Sequence, residues 1–296
     1  MIKTRFDQAK EYIEAMSFID DVDVLETILK EYQDISENSK AVEYVEDGFM
    51  PSKIGNSKIG HDTIIINVNH AFNCFSDKSG YCENCNCCYA KKAPNTYPNS
   101  FLYGFASEIN FNKLSVNDII KSIEKAHKQE LKANNIKFLR FNEAGDFKSF
   151  NLFLKANDVA KYFFKKYNII TYTYTHNKEL LTYKEDIKNS YIVVNWSIKA
   201  GNGFKHAITC HKASDLAKYL ADNDNYVICK GKCHNCSYCK DKTDLRTVVF
   251  VNHFNQTIEA GLKAGLKIED INKLEAQKYI DYGLFLMKLT NQTTLI

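Results

Sequence analysis

Apolar residues recur at helical spacing from Thr4 to about Asp34: Phe6, Ala9, Tyr12, Ile13 and Met16, then Val24, Leu25, Ile28, Leu29 and Tyr32. Asp20, Asp21 and Asp23 separate the two sets, so the pattern predicts one or two amphipathic helices, with the acids marking a break or a new start. Between Asn38 and Gly60 the periodicity lapses, and Pro51, Gly55 and Gly60 punctuate a connection. From residue 62 the rhythm changes to short β-branched runs: Thr63 to Val68, Lys137 to Phe141, Ile169 to Tyr174, Tyr191 to Trp196, Tyr226 to Ile228 and Thr247 to Val251. Helical patterns lie between several of them, at Ser115 to Ala133, Phe150 to Lys166, Asn177 to Lys188 and Ala213 to Asp222. About Asn255 to Leu289 reads as one or two further helices.

Near-continuous apolar strands spaced by helices imply parallel pairing through right-handed crossovers. The expected fold is therefore α/β: an open parallel partial barrel of about six β/α units, or a doubly wound sheet, with helices before and after it. The expected organisation is an N-terminal helical extension over 1–60, a β/α core over 61–254 and a C-terminal helical segment over 255–296. In either winding, ligands sit at the carboxyl ends of the strands, where the loops converge.

Composition narrows the picture without deciding function. With 45% hydrophobic and 25% charged residues the chain reads as globular, and 39 basic against 36 acidic side chains leave only +3. That charge is too small to argue for nucleic acid, although it does not exclude such a partner. No run approaches the roughly 18 apolar residues of a membrane span, and the opening residues place charges where a signal peptide has its apolar core. A cytoplasmic protein is expected, and in that compartment ten cysteines read as metal ligands or catalytic thiols before disulfides.

Nine of the ten cysteines fall in two knots. The first, Cys74, Cys82, Cys85, Cys87 and Cys88, follows the first strand; the second, Cys229, Cys233, Cys236 and Cys239, follows the fifth. A two-residue gap lets one turn bring two sulfurs to one ion while backbone N–H groups face them, and the four thiols of the second knot can complete a shell unaided. Such sets suit tetrahedral zinc or an iron–sulfur cluster. Four thiolates around a divalent charge leave about two negative charges over. Lys230, Lys232, Lys240 and Lys242 at the second knot, and Lys91 and Lys92 after the first, answer that surplus. In the first knot the expected ligands are Cys74, Cys82, Cys85 and Cys88, with Cys87 turned away; Cys87 and Cys210 read as packed thiols. His70, His211 and His234 lie near the knots and could replace a thiolate, though surface or core roles suit them better.

After the second strand comes Asn142-Glu143-Ala144-Gly145-Asp146-Phe147. Carboxylates beside a glycine at a strand end can meet an amine, a hydroxyl or a cation; alternatively Asp146 caps the following helix. His176 and Trp196-Ser197 end the third and fourth strands.

These segments together resemble a known family. A cysteine group closing in Cys-Tyr-Ala-Lys-Lys, then Glu143 to Phe147, Tyr174-Thr175-His176, Trp196-Ser197 and the final Cys233, Cys236 and Cys239 set, look like the bacteriophage "gene product 88" family over about residues 62 to 252. That family is itself reminiscent of radical S-adenosylmethionine proteins. The resemblance implies a partial β/α barrel, a 4Fe–4S cluster at Cys82, Cys85 and Cys88, and Gly145 and Asp146, with Glu143, where such enzymes hold the methionine amine. The enzymes space their cysteines C-x3-C-x2-C, whereas the first knot is C-x2-C-x2-C; the literal spacing occurs at Cys229, Cys233 and Cys236.

Two functions follow as expectations. One is a phage or mobile-element iron–sulfur protein using S-adenosylmethionine at an open cluster. The other is a non-catalytic accessory protein whose closed iron–sulfur or zinc sites support the binding of a protein or nucleic-acid partner.

Overall fold

The computed structural model describes residues 4–56, 59–82, 88–210, 219, 221–222, 224–229, 233 and 236–251. Cys85, Cys87, His211, His234 and the expected C-terminal helices lie outside the described residues, as does all of the expected 213–222 helix except 219, 221 and 222. The chain divides into two compact units, Met1–Asn56 with Gly60–Val194 and Ser57–Ile59 with Asn195–Ile296.

The N-terminal periodicity becomes two helices, α1 (Arg5–Ala15) and α2 (Val22–Glu31). Thr4 and Asp7 form a reciprocal capping box on α1, and Asp21 accepts from the Asp23 and Val24 amides at the head of α2, so the acidic trio is a helix start. Where the pattern lapses, the chain forms α3 (Ala41–Glu46) and a two-residue strand, β1 (Lys53–Ile54). β2 (Thr63–Ile66) follows, and then the short helices α4 (Phe75–Lys78) and α5 (Lys92–Thr96).

The longest element that the sequence pattern did not reveal is α6 (Pro98–Lys113). Phe101, Leu102, Phe105, Ala106, Ile109 and Phe111 are all fully buried, and so are the polar Glu108 and Asn110. A helix covered nearly all round has no polar stripe to set against an apolar one, so its 3.6-residue period is silent. α6 packs with Ala9, Ile13, Leu25, Ile28, Leu29, Ala41 and Phe72 in one hydrophobic cluster, which places the N-terminal helices in the core of the first unit.

The expected 115–133 helix is two, α7 (Val116–Ala126) and α8 (Lys128–Lys132), broken at His127. Then come β3 (Phe138–Phe141), α9 (Phe150–Tyr167), β4 (Ile170–Thr175), α10 (Lys184–Lys188) and β5 (Ile192–Trp196). These strands form a five-stranded sheet in the order β1-β2-β3-β4-β5. β1 is antiparallel to β2; β2–β3 and β3–β4 are parallel, with Ile66 opposite Phe141 and Arg140 opposite Tyr172. The architecture is thus mixed α/β with a mostly parallel sheet. All four residues of β2 and all five of β5 are buried, as unbroken apolar runs predict.

The second unit carries β6 (Ala207–Cys210), β7 (Tyr226–Ile228) and β8 (Thr247–Val251), parallel in the order β6-β8-β7. Trp196 makes a single parallel bridge to His206. β6 has no counterpart among the expected strands, because Ala-Ile-Thr-Cys carries a single large aliphatic residue and does not stand out as an apolar run. Cys210 is buried in this strand. No helix among the described residues is long and apolar enough to cross a membrane.

Candidate metal centre

The first knot begins where β2 ends. After Ile66 the chain runs through Asn67, Asn69 and His70 to Cys74, which caps α4. Three anchors fix this path. Asn73 accepts from the Ile19 amide (2.9 Å) and donates to the Ile19 carbonyl (2.9 Å). Glu108 accepts from the His70 amide and from the side chains of Asn69 and Asn73 at 2.8–3.0 Å. His70 donates through Nε2 to the Phe101 carbonyl (2.9 Å), accepts at Nδ1 from the Phe72 amide (3.1 Å) and stacks on Phe105 at 4.3 Å. Burial holds its pKa at about 3, so His70 is a neutral core histidine with both nitrogens engaged.

Cys74, Cys82 and Cys88 are brought within electrostatic reach of one another. Burial raises the Cys74 thiol well above its ordinary range, and the charges of Asp146, Cys88 and Cys82 add to the shift. Burial likewise raises Cys88, with Cys82 contributing. Against this, the backbone amides of Asp77, near Cys74, and of Ala90 and Lys91, near Cys88, favour the thiolates; the Asp77 and Lys91 amides donate to the Cys74 and Cys88 carbonyls at 3.1 and 3.2 Å. Lys91 supplies a nearby cation, anchored to Asp77 at 2.7 Å.

The chemistry of this set suits a thiophilic metal. Thiols that repel one another's ionisation need a positive centre to become thiolates, and an ion or cluster would reverse the local pKa logic. Among the described residues, no group of three or more His, Cys, Asp or Glu side chains is drawn in to metal-binding separation. Cys85, between Cys82 and Cys88 in sequence, lies outside them.

In the second knot, Cys229 leaves the carboxyl end of β7 with its amide bonded to the Val249 carbonyl (2.9 Å). The Cys236 amide closes back on the Cys233 carbonyl (3.3 Å), and Asn195 Nδ2 donates to the Cys239 carbonyl (2.9 Å). Two buried lysines attend this segment. Lys240 Nζ donates to the Cys233 carbonyl (3.0 Å). Lys205 donates to the Asp244 carbonyl and feels the charges of Asp244, Cys239 and Asp241; burial lowers its pKa. Lysines in this segment are the kind of counter-charge that a thiolate-rich centre requires.

The loop after β3 lies against the loop after β2. The Val68 amide donates to Asn142 Oδ1 (3.2 Å), and the Ala144 amide to Asn67 Oδ1 (3.0 Å). Gly145 has φ +81°, and a Cβ there would come within 2.6 Å of the Asn69 carbonyl oxygen, so the glycine is required by close loop contact as well as by its dihedral. Glu143 is ion-paired with Lys53. Asp146 is buried, and its oxygens accept from Ser76 Oγ (2.7 Å), the His176 amide (2.7 Å) and the Phe147 amide (2.8 Å). Burial raises its pKa, while the charge of His176 and hydrogen bonds from the His176 amide and the Ser76 and Thr175 side chains oppose the rise. One carboxylate therefore ties together the segments that follow β2, β3 and β4. Helix α9 takes its cap from Ser149, whose hydroxyl accepts from the Leu152 amide (3.4 Å), so Asp146 is not the cap.

Sequence reasoning did not single out Glu108, because a lone acid in a run without visible period carries no signal. Comparison with protein-family models, with curated proteins and with solved structures finds no match.

Proposed function

We propose that the chain is a cysteine-ligated iron–sulfur protein of phage or mobile-element type, built on a radical S-adenosylmethionine-like partial β/α barrel. The electrostatic proximity of Cys74, Cys82 and Cys88, the first of them in the loop after β2, carries this reading, with backbone amides and Lys91 nearby that favour the Cys74 and Cys88 thiolates. Cys82, Cys85 and Cys88, with Cys74 beside them, would hold one centre, and Cys229, Cys233, Cys236 and Cys239 a second. A cluster bound there would supply electron transfer, and with an iron left open it would also supply a place for a cofactor. The strand order β2-β3-β4-β5, in which each neighbour is next in the chain, favours barrel-type winding over a doubly wound sheet. Gly145, Asp146 and Glu143 are the residues that would meet the S-adenosylmethionine amine.

One observation favours the second reading, an accessory protein with closed iron–sulfur or zinc sites. Asp146 already accepts from three internal donors and is buried, so it is engaged in holding the loops together. The test is titration of S-adenosylmethionine into the full chain, purified without oxygen and reconstituted with iron and sulfide. Saturable binding, and cleavage on reduction, support the enzyme; no binding to a chain that retains its clusters supports the accessory reading.

A further inference from the structure

Glu108 is a buried acid that neither cysteine knot uses directly. It stands on α6, and every hydrogen bond found for its carboxylate comes from the stretch leading into Cys74. Oε1 accepts from Asn69 Nδ2 (3.0 Å) and Asn73 Nδ2 (2.8 Å), and Oε2 from the His70 amide (2.9 Å). All three partners act as donors, which suits an ionised carboxylate. A protonated carboxyl has an O–H of its own that needs an acceptor. One is at hand: Asn69 Oδ1 is buried and has no hydrogen-bond partner among the described residues. A half-turn of the Asn69 amide exchanges Nδ2 for Oδ1 and gives that O–H its acceptor. The two protonation states therefore demand opposite orientations of Asn69.

We propose that Glu108 is a positioning residue for the cysteine loop, acting as a proton-controlled clamp. Ionised, it grips Asn69, His70 and Asn73; protonated, it re-seats the Asn69 amide and loosens the stretch that carries Cys74. The consequence extends to the second loop, because Asn69 is the residue against which Gly145 packs. The proton comes from solvent and returns to it.

The charges around the clamp are few. Lys148, before α9, lowers the Glu108 pKa but is itself paired with Asp20; His70 is neutral. Along α6, Lys113 pairs with Glu26 and Asp23 of α2, and Lys155 of α9 donates to the Phe111 and Asn112 carbonyls. Burial outweighs the three hydrogen bonds and brings Glu108 to about 7, so the clamp changes state near neutrality. The proposal deepens the metal-site reading and rests on it for the role of Cys74; the clamp itself is measurable on metal-free protein.

The experiment alkylates metal-free full-length chain with iodoacetamide and reads the labelling rate at Cys74 by peptide mass spectrometry, in wild type and in Glu108→Gln. The ratio of the two rates cancels the thiol's own ionisation. It is expected to rise by about threefold or more from pH 8 to pH 6, as the wild-type clamp takes up its proton. A ratio that is constant over that range overturns the proposal. If Glu108→Gln does not fold, Asn69→Ala, which removes the re-seated partner, serves in its place. A wild-type-to-Asn69→Ala ratio that varies with pH then supports the clamp, and an invariant one overturns it. Metal content is measured separately on anaerobically purified wild type. Its absence would sink the metal reading and leave the labelling result standing.

Discussion

Gly104 and Glu108 lie one turn apart on α6 and show how single residues fix the path of the cysteine loop. A Cβ on Gly104 would fall 2.1 Å from His70 Cδ2, and that ring is held by the Phe101 carbonyl, the Phe72 amide and its stack on Phe105. Gly104→Ala must displace a locked ring, so it should cost about 1–3 kcal/mol despite the helix preference for alanine. Urea unfolding would show this as a lower midpoint at an unchanged slope. Glu108 contributes a pH dependence of definite sign. Its pKa is raised to about 7 because the cost of burying the carboxylate outweighs the hydrogen bonds by which it grips the loop. The global stability it lends is therefore complete below the unfolded value and is lost as pH rises through about 7, even as the loop itself tightens. The loss should approach about 3 kcal/mol. Glu108→Gln removes that component, so the wild-type-minus-variant stability should fall from pH 5 to pH 8; parallel profiles would contradict it. Neither residue was legible in the sequence. A glycine within a helix and a lone acid acquire meaning only from what faces them across the fold.

Elements whose exposure alternates along the chain were legible. α2, α7 and α9 each combine a buried face with a side-chain cap, at Asp21, Ser115 and Ser149 respectively. Ser115 Oγ accepts from the Asp118 amide at 3.2 Å, so Ser115→Ala should lower stability by about 1 kcal/mol, measured as a lower thermal midpoint. The buried strands β2, β3, β4 and β5 were found within one or two residues, because short runs rich in Ile, Val, Phe and Thr bounded by polar segments admit few other readings. What failed was the opposite extreme. α6 is covered nearly all round and loses its period, while β1 has only two residues and β6 a single large aliphatic one. The knots were legible as clusters of cysteines, and so was the placement of the first at the end of β2 and the second at the end of β7. The closing of Asp146 onto Ser76 and His176 was not, since those partners are 70 and 30 residues away.

At the scale of the molecule, each compact unit carries one cysteine knot beside a set of parallel strands. The first has Lys91 and backbone amides nearby that favour the Cys88 thiolate; the second has the buried lysines Lys205 and Lys240. Thiolates gathered without a positive centre repel one another, and a bound metal is what ionises and holds them. Cys236→Ser should therefore strand three thiolates around an incomplete shell and lower soluble yield; unchanged metal content and melting would contradict this. The central claim is tested most directly by elemental analysis, with an absorption spectrum, of full-length protein purified without oxygen. Iron and sulfide bound in stoichiometric amounts, with a broad band near about 400 nm that Cys-to-Ser changes in either knot diminish, is the predicted result. A colourless protein containing neither iron nor zinc would contradict it.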